Sequence, residues 1–134
     1  MKPVDQIVFK EGLGDCGRAC VASIFEFGIE EMPNFWEQTQ DGATFWRLQN
    51  EWLSRERGFR LVPLALNPGY EYLLDGMLCI AVGNTVRSSE VHAVVWKDGL
   101  VHDPHPARTG LSGEPEIYVF LIATQDPMAA QPGN

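Results

Sequence analysis

The sequence predicts an α+β fold in a single domain, and three observations predict it. Helical periodicity is found in the first 57 residues, short apolar runs with turn signals fill the rest, and the two kinds of element are segregated rather than alternated as a βαβ repeat requires. A chain of 134 residues is also long enough for one compact core and too short for two.

The first helix is expected from position 15. Apolar residues at 20, 21, 24, 25 and 27 form one stripe, with Asp15 as its N-cap. Gly12 and Gly14 supply a flexible turn before it, and Gly28 with the acidic, proline-ended segment after it supplies the exit. A second helix is expected over 43–57, with Phe45, Trp46, Leu48, Trp52 and Leu53 facing inward. Glu51 and Arg55 would pair on its outer face, and Gly58 stands just past its end. The β-like runs follow at 59–66, 77–82, 91–96, 100–102 and 117–123, separated by Asn-Pro-Gly, Gly-Asn and Lys-Asp-Gly turn signals. The domain is therefore assigned to 1–123. Over 124–134 Pro, Gly, Gln and Ala replace the apolar pattern, as in a flexible C-terminal tail.

Charge and cysteine usage narrow the function classes. Eighteen Asp and Glu against 10 Lys and Arg give a net charge of -8, the wrong sign for neutralising nucleic-acid phosphates or an anionic membrane surface. Apolar runs fall far short of the roughly 20 residues that cross a bilayer, and the start of the chain has no signal-type stretch, so a cytoplasmic protein is expected. An odd count of three cysteines argues against a disulfide framework. A bridge between Cys16 and Cys20, four apart on a helix, would need distorted geometry.

Cys20 and Cys79 sit inside apolar runs and are expected in the core. Cys16 differs. It falls in the first turn of the first helix, where free N–H groups and the helix dipole favour an anion, so an easily ionised thiol is expected there. Gly14 and Gly17 leave the backbone around Asp15 and Cys16 open to a substrate. A thiolate nucleophile needs a base held by a third polar group. If Asp98-Gly99 is a two-residue hairpin loop, Val94 pairs with Asp103, and His92 shares a face with Asp103 as its diagonal neighbour. His102 then faces the other way. Arg87, Ser88 and Ser89, in the loop before His92, are candidates to line the cleft.

The run Asp15-Cys16-Gly17, the distant His92 opening an apolar strand, and Asp103-Pro104 after the next strand resemble the Asp-Cys-Gly, His, Asp-Pro pattern of papain-like cysteine peptidases. Within that superfamily the nearest branch processes double-glycine leader peptides of bacteriocins. The chain is also similar, over nearly its whole length, to short phage and bacterial proteins built on Asp-Cys-x-Arg-Ala-Cys, His-Ala-Val-Val and His-Asp-Pro-His-Pro. The resemblance implies a papain-like fold, with N-terminal helices on a small antiparallel sheet. It also implies Cys16 as nucleophile, His92 as base and Asp103 as orienter, with no cofactor, acting on a peptide or protein substrate. It further implies a narrow groove that favours Gly. The oxyanion-hole glutamine of such families stands about six residues before the nucleophile, where this chain has Lys10. Gln6, or backbone N–H groups at the helix start, would serve instead.

Two other classes compete. His102, His105, Asp103 and His92 contain metal-ligating types, although no helical His pair or Cys-x-x-Cys accompanies them. A catalytically silent papain-like scaffold would instead grip a partner protein through aromatics such as Trp36, Tyr70 or Tyr72.

Overall fold

In a computed structural model that describes residues 1–9 and 14–124, and of Ser88 and Ser89 only the backbone, helix α1 (Cys16–Phe25) starts where the sequence places it. Lys10, Gly12 and the tail from 125 onward lie outside the described residues. Asp15 holds the N-cap position, but its side chain does not cap. The helix also ends early: Glu26, not a glycine, adopts the left-handed conformation at φ 58° and sends its N–H to the Ala22 carbonyl. Gly28 follows at the head of a 3-10 turn, Ile29–Glu31.

Helix α2 (Phe35–Thr39) is absent from the sequence-based expectation, because five residues are too few to establish a period. Asn34 caps it by accepting from the Glu37 N–H. Helix α3 (Gly42–Arg57) is capped by Asp41, which accepts from the Thr44 N–H at 3.0 Å. It is closed by Gly58 at φ 74°, a conformation that glycine adopts without a Cβ penalty. Trp52 and Leu53 are buried as expected, while Phe45, Trp46 and Leu48 are half-buried. The expected Glu51–Arg55 pair does not form. Glu51 takes Arg47 at 3.1 Å, and Arg55 turns to Glu56. All four side chains are exposed, where such pairings differ little in energy.

Five strands, β1 (Phe59–Leu64), β2 (Cys79–Thr85), β3 (Ser88–Trp96), β4 (Leu100–His102) and β5 (Ile117–Ala123), form one antiparallel sheet in the order β1-β5-β2-β3-β4. The α+β class is therefore correct. Three strand boundaries are not: β1 stops two residues early, β2 is shifted toward Thr85, and β3 starts at Ser88. The β2–β3 hairpin zips through polar residues, with Thr85 opposite Ser88, because backbone pairing does not require apolar side chains. Pro63 fits because β1 is an edge strand, paired only with β5.

Alternation along the strands divides the core. Leu61, Ile80, Val95 and Val119 face α1 and α3, packing with Ala19, Val21 and Leu53. Cys79, Ala81, Val94 and Tyr118 form a second cluster on the opposite face, with Leu74. Cys20 and Cys79 are free thiols buried in these two layers. Burial raises both, that of Cys79 to about 11, so neither is poised for chemistry. Among the described residues no helix is long and apolar enough to cross a membrane.

Candidate active site

The N-terminal segment is a strap that ties the start of α1 to the end of β4. The Val4 N–H donates to Ser23 Oγ, and the Gln6 N–H donates to the Pro104 carbonyl at 3.0 Å. The next two N–H groups, of Ile7 and Val8, both donate to Asp15 Oδ1, at 3.1 and 3.0 Å. Arg18 Nη1 reaches Asp15 Oδ2 at 3.2 Å, and its Nε holds the Met32 carbonyl. These donors draw the buried Asp15 carboxylate away from the helix end, which is why it caps nothing. The first-turn N–H groups of α1 are thereby left without a side-chain cap. Asp15→Ala would strand two backbone N–H groups and a guanidinium. We expect it to cost about 2–4 kcal/mol, read as a lower Tm and faster amide exchange at Ile7 and Val8.

The β3–β4 hairpin sets the second half of the site. Its turn is not the two-residue loop expected: Trp96 pairs with Leu100, and Lys97, Asp98 and Gly99 make the connection, with Asp98 at φ 58° and Gly99 at φ 135°. A bulge then restores the expected register, so that Val95 faces His102. Carried one residue further, that register sets Asp103 beside Val94 and diagonal to His92. His92 Nε2 lies 2.6 Å from Asp103 Oδ1.

Asp103 is buried, and burial alone would raise its pKa. The His92 bond and the N–H groups of His105 and Gly110 outweigh that and lower it. Gly110, at φ 67°, brings its N–H to Asp103 Oδ2 at 2.8 Å in a backbone conformation that side chains resist. Burial likewise lowers His92, against the pull of Asp103. An ionised Asp103 can only accept, so the imidazole donates Nε2–H to it and keeps its lone pair on Nδ1.

Cys16 opens α1, half-buried, and with His92 it lines a cavity of about 490 Å3. The sulfur's hydrogen-bond partners are backbone N–H groups, chiefly that of Ala93, the residue after His92, and that of Gly17. Burial raises its pKa, the buried Asp15 carboxylate adds to that, and the N–H groups only partly compensate. The expected easily ionised thiol is thus corrected. The two shifts leave a thiol and a neutral imidazole on the wall of one cavity at neutral pH, because that wall is largely apolar and no cation among the described residues lowers the thiol.

Gly14, Asp15 and Gly17 line this cavity, whereas Gln6 and Arg87 do not. Gln6 is buried between the two halves of the site, with its Nε2 on the Val8 carbonyl and its Oε1 unpartnered. Arg87 instead turns to Asp103, Nη2 to Oδ2 at 3.8 Å, and donates from Nε to Thr109. The side chain of Ser88 lies outside the description. His102 faces away from His92 and meets the Val4 carbonyl at 3.0 Å, and His105 Nδ1 accepts from the Ala107 N–H. Among the described residues no three His, Cys, Asp or Glu side chains converge on a common metal position.

The lining that sequence reasoning missed comes from Asn34 and Gln49, two carboxamides facing the same cavity. Neither carries a motif, and only the packing of α2 on α3, and of α3 on β1, brings them to the cavity that Cys16 lines. No family model matches this chain, and no curated protein or solved structure is significantly similar to it.

Proposed function

We propose that this chain is a cysteine-dependent hydrolase or acyl transferase of papain-like type that acts on a peptide, isopeptide or side-chain amide bond. One observation carries the reading: the buried Asp103 takes His92 Nε2, leaving Nδ1 as the basic nitrogen of a residue that lines the same cavity as Cys16. Cys16 Sγ attacks the carbonyl carbon while its proton passes to His92 Nδ1. The uncapped N–H groups at the start of α1 hold the oxyanion, a role that asks nothing of Gln6. As the C–N bond breaks, the imidazolium returns the proton to the leaving amine, and Asp103 stabilises the transient cation. Water, or an acceptor amine, then releases the acyl group from sulfur. Three free cysteines and an acidic surface suit work in a bacterial or phage-infected cytoplasm.

The resting protonation states make the reading testable. His92 sits below the ordinary imidazole value and Cys16 above the ordinary thiol value, so the thiol–imidazole pair should persist across the neutral range. We expect kcat/KM to fall as pH drops through the lowered His92 pKa, and iodoacetamide labelling of Cys16 to accelerate only at alkaline pH. Rapid labelling at acidic pH would show an ion pair instead, and a Cys16 inert at every pH would remove the nucleophile.

A further inference from the structure

The resemblance implies a narrow groove for glycine, but the cavity at Cys16 is neither narrow nor polar. Its volume, about 490 Å3, lies within the roughly 300–1,000 Å3 typical of small-ligand sites. Phe35, Trp36, Phe45, Trp46, Ile80 and Val91 belong to its apolar wall. Arg18 and Asp15 on its rim are already engaged, Arg18 with Asp15 and the Met32 carbonyl and Asp15 with the strap, and Glu90 adds a carboxylate to the lining. An anionic ligand group would find no unengaged cation there among the described residues.

Two amides stand out against this wall. Gln49 is only 3% exposed and lines the cavity. Asn34 uses Oδ1 to cap α2 while its Nδ2 is buried and unpartnered. Buried polar atoms are nearly always paired, so the unpartnered Asn34 Nδ2, in a wall that also holds the Gln49 carboxamide, favours a ligand with amide groups. An amide is its own complement, since Gln49 offers a donor and an acceptor and Asn34 Nδ2 a further donor.

We propose that the cavity takes a large, uncharged apolar side chain of a peptide substrate, leucine to tyrosine in size, at the residue beside the scissile bond. Asn34 and Gln49 hydrogen-bond the peptide groups that flank it. The position of the scissile bond rests on the acyl-transfer reading; the preference for an apolar peptide does not.

Two experiments separate them. In the first, the wild-type chain is treated with N-acyl dipeptide chloromethyl ketones ending in Phe, Leu, Gly or Lys, in which Sγ displaces chloride to form a thioether. Phe and Leu should label Cys16 at least about a hundredfold faster than Gly or Lys. Gln49→Leu, and Asn34→Ser, which keeps a capping oxygen, should each lose about tenfold of that advantage. Equal rates for Phe and Gly, with Cys16 still open to iodoacetamide, overturn the specificity and leave acyl transfer standing. In the second, Cys16→Ala protein is titrated with N-acetyl-phenylalanine and N-acetyl-glycine methylamides while the Trp36 and Trp46 indole signals are followed by NMR. Saturable shifts with the phenylalanine amide alone support the proposal, even if the wild type proves unreactive and the acyl-transfer reading fails. Shifts with neither, or with both alike, overturn it.

Discussion

Replacing Cys16 by alanine is expected to abolish cleavage of an apolar peptide amide while leaving the fold in place. The thiol is half-buried at the first position of α1, so losing it removes little packing, and Tm should move by only a few degrees. Its chemistry has no substitute, since Cys20 and Cys79 are buried thiols with raised pKa values. In nucleophile–base systems such a loss reaches about 10^6-fold in kcat. His92→Ala should lose nearly as much, and the double variant hardly more than either single one, because nucleophile and base act as a unit. A Cys16→Ala protein that cleaves at the wild-type rate would remove the thiol from the mechanism.

The second large effect is expected at Asp103, where catalysis and stability meet. Asp103→Ala leaves His92 and the N–H groups of His105 and Gly110 without their acceptor in a buried site. That should cost about 3–5 kcal/mol, seen as a large drop in Tm. Asp103→Asn keeps the volume and disturbs the tautomer, so it should spare most of the stability and cut kcat by up to about 10^4-fold. The acid behaviour follows from two lowered pKa values with the same sign. Below the ordinary imidazole value the unfolded chain protonates its histidine before the folded protein protonates His92, so stability falls as pH drops. Below the ordinary carboxylate value the same holds for Asp103, whose contribution is lost as pH passes down through its lowered native pKa. Asp103→Asn should erase the more acidic of these two losses and deepen the other, since His92 loses the carboxylate that holds its pKa up, in a pH series of urea melts. An unchanged acidic limb would mean that other carboxylates carry it.

The legible parts of the site are those in which local chemistry and long-range geometry agree. Cys16 at a helix start follows from the apolar stripe and the glycines around Asp15. The His92–Asp103 contact follows from strand parity, which survived an error in the turn because the bulge restored the register. The acidity of Cys16 was misjudged for the opposite reason. A helix start favours an anion in isolation, but apolar walls and the Asp15 carboxylate reverse the balance, and both belong to the assembled protein.

Asp15 shows the same division. Its position at the helix start is local, whereas its partners Ile7, Val8 and Arg18 come from the strap and the helix face. The sequence by itself determined the α+β class, the segregation of helices and strands, the buried state of Cys20 and Cys79, and the shared face of His92 and Asp103. Each rests on periods of 3.6 or 2 residues, or on short-range pairing, which neighbouring side chains encode directly. Only the tertiary structure decided the insertion of β5 between β1 and β2, the diversion of Asp15 from capping to the strap, and the apolar cavity with Asn34 and Gln49 in its wall. Those features arise where segments distant in sequence exclude water together, and no local pattern records which groups will be left there without a partner.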